Sequence, residues 1–216
     1  MPIFTKRERE RKIKMNLNAL KENLIKKGYT VSLFETKEEA TEYLKSTVSG
    51  KSVGIGGCIT AKEMKLSEAL SEKNEIIWHW ETEKRSASEG LFLAQHTDIY
   101  FSSVNGISEA GEIVNIDGTC NRLASTLYGH KKVYLLIGKN KVAKTLDDAI
   151  YRARNVAAPL NAKRLGKNTP CAKNTAENKC YNCSSPERIC KALTVFWEMP
   201  KGQEYEVILI NEELGY

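Results

Sequence analysis

Short apolar strands alternate with amphipathic helices along most of this 216-residue chain, and that alternation restricts the fold more than any other feature. Ile13, Leu17, Leu20 and Leu24 recur at three- and four-residue intervals, predicting a helix over 7–27 that stops at Gly28. Tyr29–Phe34 reads as a strand, and Thr36 as the cap of a helix reaching Val48. Ser52–Gly57 reads as a strand running into a glycine turn, and Thr60–Leu70 as a helix. Glu75–Trp80, Asp98–Ser103, Glu112–Asp117 and Lys132–Ile137 are further strands, with helices at Ser86–Ala94 and Cys120–Tyr128. Thr145 caps a long helix to Ala158, closed by Pro159, and Leu193–Glu198 with Glu204–Ile210 read as a terminal strand pair. Such a succession folds as right-handed βαβ units, so the expectation is an α/β fold whose mostly parallel sheet is covered by helices. One domain over 1–216 is expected, with an N-terminal helix in 1–28 and a cysteine-rich loop at 166–192.

That loop is the second constraint. Cys171, Cys180, Cys183 and Cys190, four of six cysteines, are spaced C-x8-C-x2-C-x6-C. Asn, Ser and Pro around them form turns and supply no core. Four soft thiolates in one polar loop suit tetrahedral zinc or a four-cysteine iron–sulfur (4Fe-4S) cluster. Two disulfides or four unrelated thiols are the competing readings, the disulfides less suited to a chain that otherwise reads as cytoplasmic. The spacing itself does not choose the metal.

Composition argues against several classes. With 41% hydrophobic and 28% charged residues and no apolar run of membrane-spanning length, the chain reads as a globular protein off the membrane. Glu8, Glu10 and Glu22 within the charged N-terminus argue against a signal or transit peptide, which points to the cytoplasm. Lys6, Arg7, Arg9, Arg11, Lys12 and Lys14 form a basic run, but acidic residues interleave and no aromatic platform accompanies it; we read a solvated helix face, not a nucleic-acid surface. The oligomeric state stays open, a homodimer among the options.

In a parallel sheet, ligands sit beyond the carboxyl ends of the strands. Gly54, Gly56 and Gly57 form a strand-to-helix turn that lets backbone approach an anion, although tight packing accounts for them equally well. Cys58 follows at a helix start, as a small residue filling a turn or a reactive thiol. Asn115, Asp117, Asn121 and Arg122 concentrate polar groups at another strand end, where Arg122 offers a two-pronged donor to a carboxylate or phosphate and Asp117 is a candidate catalytic group. Asp117 and Asn121 also suit turn and capping roles. Glu109, on an exposed turn, is a candidate nucleophile or base. His79, His96 and His130 form no metal motif and read as structural.

Asn105–Arg122, with Ile137-Gly-Lys-Asn-Lys141 and Asn155–Arg164, resembles the lactate-utilisation (LUD, formerly DUF162) domain family over roughly 10–212, and the Cys171–Cys190 loop resembles that of a clostridial-type subgroup. The resemblance implies a fold akin to ribose-phosphate isomerase, glucosamine-phosphate deaminase and CoA transferases. It also implies a place in cytoplasmic oxidation of L-lactate to pyruvate with iron–sulfur partner subunits, and a pocket at Gly56, Glu109, Asp117, Asn121 and Arg122. Two positions depart from the family pattern: Cys120 stands where relatives commonly have glycine, and Cys58 where serine or threonine is expected.

Two other functions compete with a metal-containing protein that binds a small organic acid. One is a stand-alone transferase or isomerase working through Glu109 and Arg122, with structural zinc in the loop. The other is a ligand-binding protein without chemistry.

Overall fold

The computed structural model describes residues 17–174 and 179–216; the basic run, the start of the expected first helix and 175–178 of the cysteine loop lie outside them. Helix α1 is described over 17–26. Then come β1 (Thr30–Phe34), α2 (Lys37–Thr47), β2 (Ser52–Ile55), α3 (Ile59–Glu63), α4 (Leu66–Leu70), β3 (Glu75–Trp78), α5 (Ala87–Leu93) and β4 (Ile99–Ser103). The chain continues through β5 (Gly106–Ser108), β6 (Ile113–Asp117), α6 (Asn121–Leu127), β7 (Lys132–Gly138), β8 (Val142–Ala143), α7 (Leu146–Arg152) and α8 (Ala158–Arg164). It closes with α9 (Pro170–Lys173), β9 (Ala192–Phe196) and β10 (Glu204–Ile210).

Six strands form one wholly parallel sheet in the order β1-β10-β7-β4-β2-β3. Period-2 alternation sends β7 to both faces. Tyr134 and Leu136 join α2, α3 and α4 through Leu44, Ala61 and Leu66, whereas Val133, Leu135 and Ile137 meet Leu17, Leu20 and Leu24 of α1. Both faces are buried, so β7 and β10 read as nearly continuous apolar runs. This is the expected α/β architecture with its helix-covered parallel sheet.

Four details differ from expectation. The terminal strands do not pair with each other. β10 lies between β1 and β7 in the parallel sheet, while β9 runs antiparallel to β6 in a smaller sheet, β8-β5-β6-β9. The segment 60–70 is two helices, because Lys65 adopts a left-handed conformation (φ 49°) that no continuous helix accommodates. Pro159 does not close the 145–158 helix. A π-helical stretch over Ala153–Ala157 widens the turn before it, so the missing amide is absorbed and the helical path runs on to Arg164. Finally, strand β3 ends at Trp78, one residue before the histidine, and Trp80 stacks back on Trp78 at a ring distance of 5.0 Å.

The two threonine caps read from sequence form as expected, whereas Asn121 is the first residue of α6, whose cap position, Cys120, makes no side-chain cap bond. Thr36 Oγ1 accepts the Glu39 amide at 3.2 Å and Thr145 Oγ1 the Asp148 amide at 3.1 Å. Among the described residues no helix is long and apolar enough to cross a membrane.

Candidate functional site

The parallel strands deliver their carboxyl ends to one edge, and a cleft of about 270 Å³ opens there. Gly57 and Cys58 come from the end of β2, His79 and Trp80 from β3, Ser103 and Asn105 from β4, and Lys141 from the turn after β7. The smaller sheet adds Ile116 and Asp117 as one wall, and α6 adds Asn121 and Arg122. Asn161 and Arg164 of α8, with Gly215 and Tyr216, form the rim.

Arg122 is the organising residue, and its donors point into the protein. Nη1 donates to Ser103 O (3.2 Å) and Asn115 Oδ1 (2.9 Å), Nη2 to Ile116 O (2.7 Å), and Nε faces Asp117 Oδ2 at 3.6 Å. Asp117 Oδ1 in turn accepts the amides of Gly118, Thr119 and Cys120 at 2.6, 3.2 and 3.2 Å. Asp117 thus builds the turn before α6, and Arg122 ties the ends of β4 and β6 together. Gly54 and Gly56 have packing reasons of their own. A Cβ on Gly54 would sit 2.6 Å from Ala94 O, and one on Gly56 2.7 Å from the Tyr100 hydroxyl. Only Gly57 of that turn borders the cleft.

Lys141 lines the cleft from a buried position. It is 2% exposed, and Nζ donates to Thr60 Oγ1 (3.0 Å) and Ser103 Oγ (2.5 Å). Burial, with Arg152 and Arg122 nearby, pulls its pKa down to about 8 against the opposing pull of Cys58 and Glu63. Cys58 is buried beside it, and burial pushes its thiol up despite the facing lysine, so it is no activated nucleophile. Its sulfur accepts the Ala61 amide at 3.3 Å, capping α3. The His79 ring borders the cleft too, with its pKa lowered first by burial and then by Arg164. At the rim Arg164 stacks on Trp80, 5.1 Å from the ring centre, and donates to Asn161 Oδ1 and the Tyr216 hydroxyl.

A second, much smaller cavity of about 20 Å³ borders the first. Cys171, Cys180, Cys183 and Cys190 all line it, none in a disulfide. Arg154 Nη2 and the Asn182 amide both donate to Cys180 Sγ, at 3.7 and 3.4 Å, and Thr169 Oγ1 lies 3.3 Å from Cys171 Sγ. Arg188 fastens the loop through Cys183 O (2.8 Å) and Cys190 O (2.9 Å). Four soft sulfurs around one cavity, with N–H donors on a sulfur, are a donor set that fits zinc or an iron–sulfur cluster. Among the described residues no three His, Cys, Asp or Glu side chains already stand close enough together to hold an ion. Ala158, Ile189 and Cys190 line both cavities.

The LUD-domain family model matches residues 17–210. The chain belongs to the LUD-domain family. A crystal structure of a DUF162 family protein from Deinococcus radiodurans superposes with a TM-score of 0.53 at 11% identity, covering 92% of this chain and 98% of that one; it bears on the fold alone. No curated protein matches the chain. Family membership supports a lactate-utilisation-related role in general.

Of the expected site residues in this LUD protein, Gly57, Asp117, Asn121 and Arg122 meet at the cleft, and Asn115 stands behind Arg122. Glu109 lies elsewhere: it follows the far end of β5, where its carbonyl accepts the Asn23 side-chain amide at 2.8 Å and its amide reaches Ala143 O at 2.8 Å. A transferase reading that needs Glu109 beside Arg122 therefore has no geometry behind it. His79, which the sequence reads as structural, also borders the cleft, and Lys141, Trp80 and Arg164 join it without a signal that marks them in the sequence.

The departure at Cys120 has a structural consequence. Its φ of 64° places it in the left-handed region, where glycine is at ease and other residues are strained. Cys120→Gly is expected to stabilise this LUD protein by about 0.5–1 kcal/mol, read as a higher urea midpoint at unchanged slope. Destabilisation would mean that the thiol makes a contact worth more than the strain.

Proposed function

We propose that this LUD protein binds a small organic anion of the lactate and pyruvate class in the cleft and holds a metal in the adjoining four-cysteine loop, a 4Fe-4S cluster ahead of zinc. In this reading it serves cytoplasmic oxidation of L-lactate to pyruvate as a subunit or accessory protein beside iron–sulfur partners. The observation that carries the reading is the shared wall: Cys190 and Ile189 border both the cleft and the cysteine cavity. A metal held there would lie next to a bound acid, not in a remote structural knuckle.

The electron-moving pathway that the family implies favours iron–sulfur over zinc. When bound, such a cluster supplies one-electron chemistry, whereas zinc would supply order and charge. Oxidation of L-lactate to pyruvate releases two electrons and two protons, which the partner subunits would carry away. The protein's own residues do the rest. Arg122 keeps the two sheets in register, Trp80 and Arg164 cover the rim, and Arg154 places an N–H on Cys180. Metal binding would draw the four thiolates inward from their positions around the cavity.

Anaerobic purification with metal and sulfide analysis tests the loop. Iron and sulfide in a brown protein are expected; zinc in a colourless one would keep the site but remove electron transfer, and neither metal would end the reading. Cys183→Ser is expected to lose the metal and make the loop protease-sensitive while the parallel sheet stays folded. Full metal occupancy in that variant would take Cys183 out of the site.

A further inference from the structure

We infer that Lys141 is the anion anchor of the cleft, its ammonium receiving the carboxylate of the bound acid through the one N–H that no described residue accepts. This rests on the reading of the cleft as an organic-anion site and names the residue that makes it one.

Three permanently or readily charged cations line the cleft: Arg122, Lys141 and Arg164. Arg122 has its donors committed to protein acceptors and Asp117. Arg164 is exposed, so water already solvates its charge. Lys141 differs from both. It is 2% exposed, and its two partners, Thr60 Oγ1 and Ser103 Oγ, are neutral hydroxyls. An ammonium carries three N–H donors, and among the described residues no carboxylate is ion-paired with this one.

The neighbours that Lys141 feels do not remedy this. Arg122 and Arg152 add positive charge, and burial holds the Cys58 thiol in its neutral form. Glu63 accepts the Gly215 amide at 2.7 Å and forms no ion pair with the lysine. A buried cation without a counterion is costly and persists in folded proteins chiefly where function needs it. Backbone closes the approach from one side: a Cβ on Gly215 would stand 3.3 Å from Nζ and 2.8 Å from Thr60 Oγ1. The open side is the cleft itself. A pKa near 8 leaves most of the group charged at neutral pH, as an anion receptor requires.

The test compares full-length wild type, Lys141→Met and Lys141→Gln by titration calorimetry with L-lactate, pyruvate and the uncharged lactamide, alongside thermal unfolding without ligand. Wild type is expected to bind the acids more tightly than the amide. Both variants are expected to lose at least about 30-fold in acid affinity, the low end for removing one partner of a buried charge pair, while amide binding is unchanged. Lys141→Met is also expected to raise the ligand-free melting temperature, since it removes an uncompensated buried charge; a lysine with a purely structural role would lower it. Variants that bind the acids as wild type does would overturn the inference and leave the cleft reading standing. Wild type that binds none of the three probes would overturn the cleft reading and the inference together. If Lys141→Met does not fold, Lys141→Gln, which keeps hydrogen bonds to the hydroxyls, decides.

Discussion

Replacing Arg122 with methionine is expected to cost about 3–5 kcal/mol of stability, the range for breaking a buried charge pair by removing one partner. The side chain is 13% exposed and Asp117 11%, so water replaces little of what is lost. Methionine fills much of the volume but takes a donor from Ile116 O, Ser103 O and Asn115 Oδ1, of which Ser103 O keeps Ser102 Oγ (3.1 Å) and Asn115 Oδ1 keeps the Asn105 amide (3.2 Å). Because these acceptors lie on β4 and β6, the loss falls on the junction between the two sheets. Urea unfolding with the slope checked would measure it. A cost below about 1 kcal/mol would mean that Arg122 is a surface pair in effect, and would return it to candidacy as a ligand-facing residue.

Lys132→Met is expected to cost about 3 kcal/mol near neutral pH, by the same reasoning at a different place. Glu206, 1% exposed in the middle of the parallel sheet, has its carboxylate held by Lys132 Nζ at 2.7 Å, Tyr43 OH at 2.7 Å and Ser32 Oγ at 2.8 Å. Burial pushes the Glu206 pKa up, but these three donors together outweigh it, so the group titrates below its ordinary value. A carboxyl with a depressed folded pKa adds stability that is present above its unfolded pKa and fades as pH falls through the folded one. Wild type should therefore lose stability on acidification below the usual carboxylate range, and Lys132→Met should lose less over the same interval. Parallel pH profiles for the two proteins would count against this account.

Much of the architecture is legible in the sequence because two-sided burial writes itself as strand-length apolar runs, as in Val133–Ile137 and Val207–Ile210. What was missed has local causes. Gly106–Ser108 is only three residues long and sits in a turn-like context, so no period announces it as β5. Pairing partners of β9 and β10 depend on tertiary contacts that neither segment encodes alone. Pro159 carries a stop signal that a π turn elsewhere cancels. The cleft was partly legible, since polar groups at strand ends mark the right edge of the sheet. Lys141 escaped notice because Gly-Lys-Asn-Lys reads as a solvated basic turn; only the fold reveals that one of its two lysines is buried. Glu109 shows the opposite: a carboxylate in a polar turn reads as chemical, while the fold leaves it half-buried against Asn23 and Ala143, outside the lining of the cleft.

The position of β10 has a consequence for how the chain comes to be folded. β1 and β7 are each paired to β10 and not to each other, so the parallel sheet has a gap until residues 204–210 are available. During synthesis, β1 emerges with no parallel partner of its own and must wait for roughly the whole intervening sequence. Closing a loop of that length is entropically slow, and the waiting edges of β1 and β7 are open to pairing with other chains. A nascent polypeptide halted before β10 should therefore be protease-sensitive and chaperone-dependent even though its other strands are complete.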